Sequence, residues 1–166
     1  QLKAIIQKLR QKVTEATRKR REGITDNTAK QRKAVTEHSK SERQKLNERA
    51  EKKREELTNQ ANVKVEQLRE QMAGLPKNDP DRIKLNELVS RIKEASKADK
   101  AKVTASTQGE RQKLTASAQA QRQTITQNAK RTRQIVTQGA QAQRRQITAD
   151  SKAGNAVITA DIKQRR

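Results

Sequence analysis

Arginine recurs every eleven residues along most of this 166-residue chain. A guanidinium group carries a permanent positive charge and five N–H donors, which suit it to phosphates and carboxylates. Eleven helical residues rise about 16.5 Å, so such a column would form a ladder of cations able to follow a polyanion or an acidic wall. The candidate polyanion contacts are Arg10, Arg21, Arg32, Arg43 and Arg54 in the first half and Arg111, Arg122, Arg133 and Arg144 in the second.

The same column also has a structural interpretation. Each arginine of the column stands three residues before a large aliphatic residue. Its methylene stem could therefore cover that side chain while its charge stays in water. The two roles are compatible. Base-specific recognition is disfavoured, because the chain has no Phe, Tyr or Trp and no helix-turn-helix or zinc-finger pattern. Nucleic-acid binding would therefore be electrostatic and would weaken steeply with salt.

No combination of residues indicates catalysis or metal binding. His38 is the single histidine, and it has no second histidine or carboxylate spaced as in a metal site or a catalytic triad. Glu55 and Glu56 are adjacent and point in different directions on a helix, so they form no acid–base pair. The five glycines form no phosphate-binding loop, and cysteine is absent. We therefore expect no enzyme and no cofactor.

An eleven-residue helical repeat positions the arginines. Its consensus is Arg-x-x-aliphatic-Thr-x-x-small-x-x-x. Eleven residues make three turns of about 3.67 residues, which keeps one stripe on one helix face and favours a right-handed supercoil. Spacings of four and seven contradict the alternation of a strand. The predicted packing stripe comprises Val13, Ile24, Val35, Leu46, Leu57, Leu68, Ile92, Val103, Leu114, Ile125, Val136, Ile147 and Ile158.

The repeat breaks once, in the segment GLPKNDP at residues 74–80. We predict that Gly74 closes one helix and that Asp79 caps the next, with Pro80 at its first position. The predicted fold class is all-α: an elongated antiparallel helical hairpin with undecad, right-handed coiled-coil repeats. Its parts are a first long helix over residues 1–73, a turn over residues 74–80 and a second long helix over residues 81–166.

Residues that face each other across this hairpin should have numbers that sum to about 153. Large residues then meet small ones: Val13 faces Ala140 and Leu57 faces Ser96, an alternation that lets two helices approach closely. The pattern leaves open the number of helices in the assembly and whether the arms close within one chain or exchange between chains. Two apolar clusters are expected to anchor the ends: Leu2, Ile5, Ile6 and Leu9 at one end, and Leu68, Met72, Leu75, Ile83, Leu85, Leu88, Val89 and Ile92 at the turn.

The same register gives Val157, Ile158 and Ile162 no facing residue, and the first residue is Gln. We therefore expect the chain to be part of a longer protein.

The composition favours a charged partner over a globular core. The chain is 30% hydrophobic and carries a net charge of +21, and residues 111–166 hold twelve Lys/Arg but two Asp/Glu. Such a charge predicts self-association or an acidic protein partner, with non-specific nucleic acid as the alternative. A stripe with one large aliphatic per three turns is too narrow for a lipid-binding helix, so membrane binding is disfavoured. No signal peptide or membrane span is visible, which favours the cytoplasm.

The second half of the chain resembles the repetitive helical regions of tailed-phage tape measure proteins. The similarity lies in the successive repeats RQKLTASAQAQ, RQTITQNAKRT, RQIVTQGAQAQ and RRQITADSKAG, which span residues 111–154. It covers residues 100–166 well and residues 10–70 loosely. The resemblance implies a filler or plug in the lumen of a virion tail, with a basic surface that matches an acidic lumen.

Overall fold

Two α-helices joined by a short turn make up the computed structural model, which describes residues 2–164 without the side chain of Ile162. The first helix, α1, spans Leu2–Met72, and the second, α2, spans Pro80–Gln164. The two helices contact each other, and the prediction of an all-α protein is confirmed. Residues 1, 165 and 166, and with them the end of the predicted second segment, lie outside the described residues. Both prolines lie at or before the start of α2, so neither helix has a proline in its interior.

The end of α1 differs from the prediction for Gly74. No described residue has a positive φ, so Gly74 does not adopt the left-handed conformation common at helix C-termini. The chain turns instead through two tight backbone bonds, from the Ala73 N–H to the Glu70 carbonyl at 3.2 Å and from the Leu75 N–H to the Met72 carbonyl at 3.1 Å. Pro76 follows directly and has no N–H with which to continue a helix.

The start of α2 confirms the predicted cap. The carboxylate of Asp79 accepts a hydrogen bond from the Asp81 N–H at 2.8 Å, and Pro80 is the first helical residue. The Arg82 guanidinium donates to the Leu75 carbonyl and ties the turn to α2. These local contacts set where the chain reverses and therefore which parts of the two helices can meet.

The chain divides into two compact units. Unit 1 comprises Gln1–Val35 and Ala120–Arg166, and unit 2 comprises Thr36–Gln119. Within each unit the segments of α1 and α2 run antiparallel. In unit 2, for example, Arg54 contacts Thr104, whereas Arg43, which is earlier in α1, contacts Thr115, which is later in α2.

The buried core of unit 2 lies beside the turn. Val65, Met72 and Val89 are buried there, and the core is completed by the partly buried Leu68, Leu85 and Ile92. Val65 and Val89 each occupy the repeat position, three residues before the stripe aliphatic, that carries a cation in most other repeats. The apolar face is therefore wider at the turn than the stripe alone predicts. Ile83 and Leu88 were expected in this cluster, but they are 52% and 43% exposed.

Away from the core beside the turn, small residues are the most deeply buried members of the repeat. Ser39, Ala50, Ala118 and Ala140 are buried, whereas the stripe aliphatics from Val13 to Ile147 are half-buried and Ile158 is exposed. A helix with one facing partner can cover a short side chain completely, but a Leu or Ile extends to the edge of the contact. In unit 2 the Ser96 hydroxyl lies 3.4 Å from the Leu57 carbonyl, one of the facing pairs expected from the sum of 153.

The predicted apolar anchor at the start of α1 is wrong. Leu2, Ile5 and Leu9 are exposed, and Ile6 is half-buried. At this level of unit 1 the facing stretch of α2, residues 144–151, is mostly polar and includes two adjacent arginines. Ile147 is the one large apolar side chain in this stretch, so most apolar side chains at the start of α1 find little apolar surface to pack against.

Candidate functional site

Arginine side chains reach from one helix to threonine hydroxyls on the other. In unit 1, Arg10 Nη2 donates to Thr148 Oγ1 at 2.7 Å, and Arg144 Nη2 donates to Thr14 Oγ1 at 2.7 Å. On each helix the arginine lies four residues before the threonine. The contact from α1 to α2 therefore has the same form as the contact from α2 to α1. Both distances lie at the short end of the usual range for N–H···O bonds.

The threonine hydroxyls are oriented by the backbone. Thr14 Oγ1 donates to the Arg10 carbonyl and Thr148 Oγ1 to the Arg144 carbonyl, each at 2.8 Å. A hydroxyl has one proton, so its use on the carbonyl leaves the lone pairs of the oxygen to accept from the guanidinium. Two arginines and two threonines thereby form a closed set of four hydrogen bonds, which we call an Arg–Thr clasp.

Unit 2 contains a second clasp in which lysine replaces one arginine. Arg54 Nη1 donates to Thr104 Oγ1 at 3.3 Å, and Lys100 Nζ donates to Thr58 Oγ1 at 3.2 Å. The hydroxyls again donate to the carbonyls four residues back, Thr58 to Arg54 at 2.8 Å and Thr104 to Lys100 at 3.0 Å. The motif is therefore common to both units.

Two further arginines form half of the same arrangement. Arg43 donates to Thr115 in unit 2 at 2.8 Å, and Arg133 donates to Thr25 in unit 1 at 2.7 Å. In the unit 2 pair, Asn47 holds the position where a clasp would have its second threonine, since it follows Arg43 by four residues.

The clasps explain why the consensus couples arginine to threonine. The residue numbers of every cross-helix Arg–Thr or Lys–Thr pair above add to 158, five more than for the facing pair Leu57 and Ser96. The role of the threonines could not be found from their position alone. The available signal was the constant separation of four residues between cation and threonine in both helices.

The other predicted arginines stand in related places. Arg21 and Arg111 each accept a bond from a threonine at their carbonyl, Thr25 and Thr115 respectively. Arg32 is exposed and Arg122 is half-buried, and each has an interaction partner. The column therefore contributes contacts between the helices and places charge at the surface.

The clasps leave the arginine charge in place. Ion pairs in the part of the chain that the structure describes, such as Arg18 with Glu22 and Lys53 with Glu56, join residues three or four positions apart on the same helix. The clasp contacts use neutral hydroxyls instead of carboxylates. They hold the guanidinium groups in position while leaving their positive charge uncompensated by these partners.

Two adjoining grooves of unit 1 concentrate these arginines. The first is a shallow cavity of about 450 Å³, and it shares Thr14 and Arg144 with the second. We call their combined surface the unit 1 arginine strip. Its lining residues are Arg10, Thr14, Arg144, Arg145 and Thr148 in the first groove, and Thr14, Thr17, Arg18, Arg21, Glu22, Thr25, Arg133 and Arg144 in the second.

Charge is divided unevenly between the units. The sequence of unit 1 contains 21 Lys/Arg and five Asp/Glu, a formal charge of +16. Unit 2 contains 19 Lys/Arg and 14 Asp/Glu, a formal charge of +5. The attraction of a polyanion should therefore be strongest at unit 1.

The remaining histidine and carboxylate groups of residues 2–164 indicate neither a metal site nor a catalytic site. His38 is exposed, and residues 2–164 contain no group of three or more His, Cys, Asp or Glu side chains placed to hold a metal. A hydrogen bond from Lys45 Nζ, 2.8 Å from Glu42 Oε1, lowers the pKa of that carboxyl below its ordinary value. Across the same residues, neither helix carries an apolar stretch long enough to cross a membrane.

Comparison of the chain with protein-family models, with curated proteins and with solved structures finds no match.

Proposed function

We propose that this chain is a structural coiled-coil protein whose basic surface faces an acidic partner or lining. In this proposal α1 and α2 form an elongated antiparallel hairpin with right-handed undecad repeats. The observation that carries it is the repetition of the Arg–Thr contacts: they recur in both units with one numerical register. A repeat that pairs with itself at constant spacing is suited to building length and presenting charge at regular intervals.

A phage tail is the setting that the resemblance of residues 111–154 suggests. A basic helical filler would be held in an acidic tube by charge, without requiring a specific pocket. The reversal of the chain between α1 and α2 fits a plug or folded end better than an extended ruler. On this proposal the protein occupies the tail lumen and binds its acidic wall.

A pair of aspartate substitutions tests the packing repeat. Ile125 is half-buried in the stripe, whereas Gln127, two residues later on the same helix, is exposed. We expect Ile125→Asp to reduce helicity by circular dichroism and to weaken any association measured by sedimentation equilibrium. Gln127→Asp introduces the same charge and should change neither. Equal effects of the two substitutions would contradict the packing repeat.

The partner class is tested by competition. A chain with an acidic protein partner should bind polyglutamate in solution at moderate salt, and duplex DNA should displace it poorly. The matched control is polylysine, which shares the flexible backbone but should not bind to a protein of net charge +21. Absence of polyglutamate binding would argue against an acidic protein lining.

The second candidate is a sequence-neutral binder of nucleic acid. It is favoured by the charge of +16 in unit 1 and by arginines whose clasp partners are neutral. Contacts to phosphates release counterions, so the logarithm of the affinity should fall linearly with the logarithm of salt, with a slope of several units. Duplexes of unrelated sequence should bind alike. A flat salt dependence or a strong sequence preference would contradict this function.

A further inference from the structure

We infer that the unit 1 arginine strip binds the phosphate backbone of duplex nucleic acid. This inference rests on the second proposed function and assigns it a location and a ligand form. Arginine supplies every cation that lines the two grooves of the strip, although lysine is abundant elsewhere in the chain. Planar guanidinium groups bind phosphate oxygens through two parallel N–H bonds, which an ammonium group cannot do.

The clasp preorganises two of these arginines. Each of Arg10 and Arg144 places one Nη2 on a threonine hydroxyl at 2.7 Å and remains exposed. A guanidinium has five N–H donors, so donors remain on each for an anion. Arg145 lines the same groove and adds a third cation. Fixing the side chains before binding lowers the entropy that a ligand must overcome.

The strip continues over one repeat of the helix pair. Thr14 and Arg144 line both grooves, and the second groove adds Arg21 and Arg133, eleven residues from Arg10 and Arg144 respectively. At 1.5 Å per residue this step is about 16.5 Å along each helix. The strip can therefore contact phosphates at two places about one repeat apart along the helix pair. A long polyanion has phosphates to fill both places, whereas a single free phosphate can fill only one.

Duplex fits this surface better than a single strand. Proteins that bind single strands without sequence preference stack the bases on aromatic side chains, and this chain has no Phe, Tyr or Trp. A duplex keeps its bases stacked on each other and presents phosphates outward. The exposed arginines of the strip match the groups that commonly contact such phosphates, whereas the hydroxyl protons of Thr14 and Thr148 are already donated to helix carbonyls.

Fluorescence anisotropy with a labelled 24-base-pair DNA tests the assignment. The first variant is Arg10→Gln/Arg144→Gln/Arg145→Gln, which removes three charges from the strip. The matched control, Lys52→Gln/Lys64→Gln/Lys113→Gln, removes three exposed charges from unit 2. We expect the strip variant to lose at least about tenfold in affinity and to reduce the salt slope by about two to three, and the control to lose less than about threefold.

A charge-preserving variant and a second probe complete the test. Arg10→Lys/Arg144→Lys/Arg145→Lys should weaken binding by an intermediate amount, because charge remains while paired N–H donation is lost. A single strand of the same sequence should bind more weakly than the duplex. Circular dichroism at the temperature of the binding assay should show unchanged helicity for all variants, because the substituted positions are exposed; loss of the clasp bonds of Arg10 and Arg144 should appear only as a lower Tm.

The outcomes separate the inference from the function beneath it. Equal losses in the strip and control variants would overturn the strip while leaving diffuse nucleic-acid binding in place. Tighter binding of the single strand would overturn the duplex assignment. No DNA binding by the unaltered chain at low salt, or binding of polyglutamate in its place, would overturn both the inference and the second proposed function.

Discussion

Replacing the helical glycines by alanine should stabilise the protein. Gly23, Gly109, Gly139 and Gly154 lie inside α1 or α2, where each glycine costs about 0.5–1 kcal/mol relative to alanine. A Cβ placed on any of them meets nothing within 4 Å apart from its chain neighbours and the backbone of its own helix nearby, and none has a positive φ. No steric term therefore offsets the gain, and the fourfold variant should gain about 2–4 kcal/mol.

Thermal and urea unfolding followed by circular dichroism at 222 nm measures this gain. For a chain of this size about 1 kcal/mol raises Tm by about 2–4 °C, so the fourfold variant should melt about 4–16 °C higher. The control is Gly74→Ala. It adds the same methyl group at a position in the turn after α1, which is not helical. Its effect should be smaller than that of any helical site. An unchanged or lower Tm in the fourfold variant would refute the conclusion that these positions are helical with open space beside them.

Three further outcomes are expected. Ser39→Ala should raise the free energy of unfolding in urea by about 1 kcal/mol, because the Ser39 hydroxyl is buried without a hydrogen-bond partner; a loss of stability would show that the hydroxyl is satisfied. A double-mutant cycle of Arg54→Gln and Thr104→Val should show a coupling energy of about 0.5–1.5 kcal/mol in the same assay, and strict additivity would speak against the clasp. Lys45→Ala should raise the pKa of Glu42 in an NMR titration, since Lys45 lowers it. With the lysine present, the pair stabilises the fold at pH values above the pKa that Glu42 has in the unfolded chain. That stabilisation is lost as the pH falls through the lower pKa that Glu42 has in the folded chain.

Local features of the chain were predictable because they depend on neighbours in sequence. Asp79 and Pro80 start α2 through the geometry of a single turn, and their residue types suffice to identify it. The helical character of the repeat follows in the same way from its spacing. Errors arose where a local rule competes with packing. Gly74 follows α1 without a left-handed conformation, and Leu2, although apolar, is exposed because the facing stretch of α2 is mostly polar.

The candidate site shows the same division. The positions of the arginines could be read from the sequence, but the threonines acquired a role only once two helices were adjacent. A threonine hydroxyl bonds the carbonyl four residues back within its own helix, as with Thr14 and Arg10. That bond is local, and it occurs also at threonines such as Thr132 that lie outside the repeat. What selects a threonine for a clasp is the guanidinium that arrives from the other helix.

The sequence alone determined that the chain is helical, that its apolar and cationic positions recur every eleven residues and that it reverses near residue 76. These properties follow from residue spacing and from the conformational limits of proline and the capping carboxylate. Tertiary structure decided which side chains meet. The clasp pairs add to 158 and the facing pair Leu57 and Ser96 to 153, an offset set by how closely the helices approach and how far an arginine side chain reaches. Spacing along one helix contains no information on that distance.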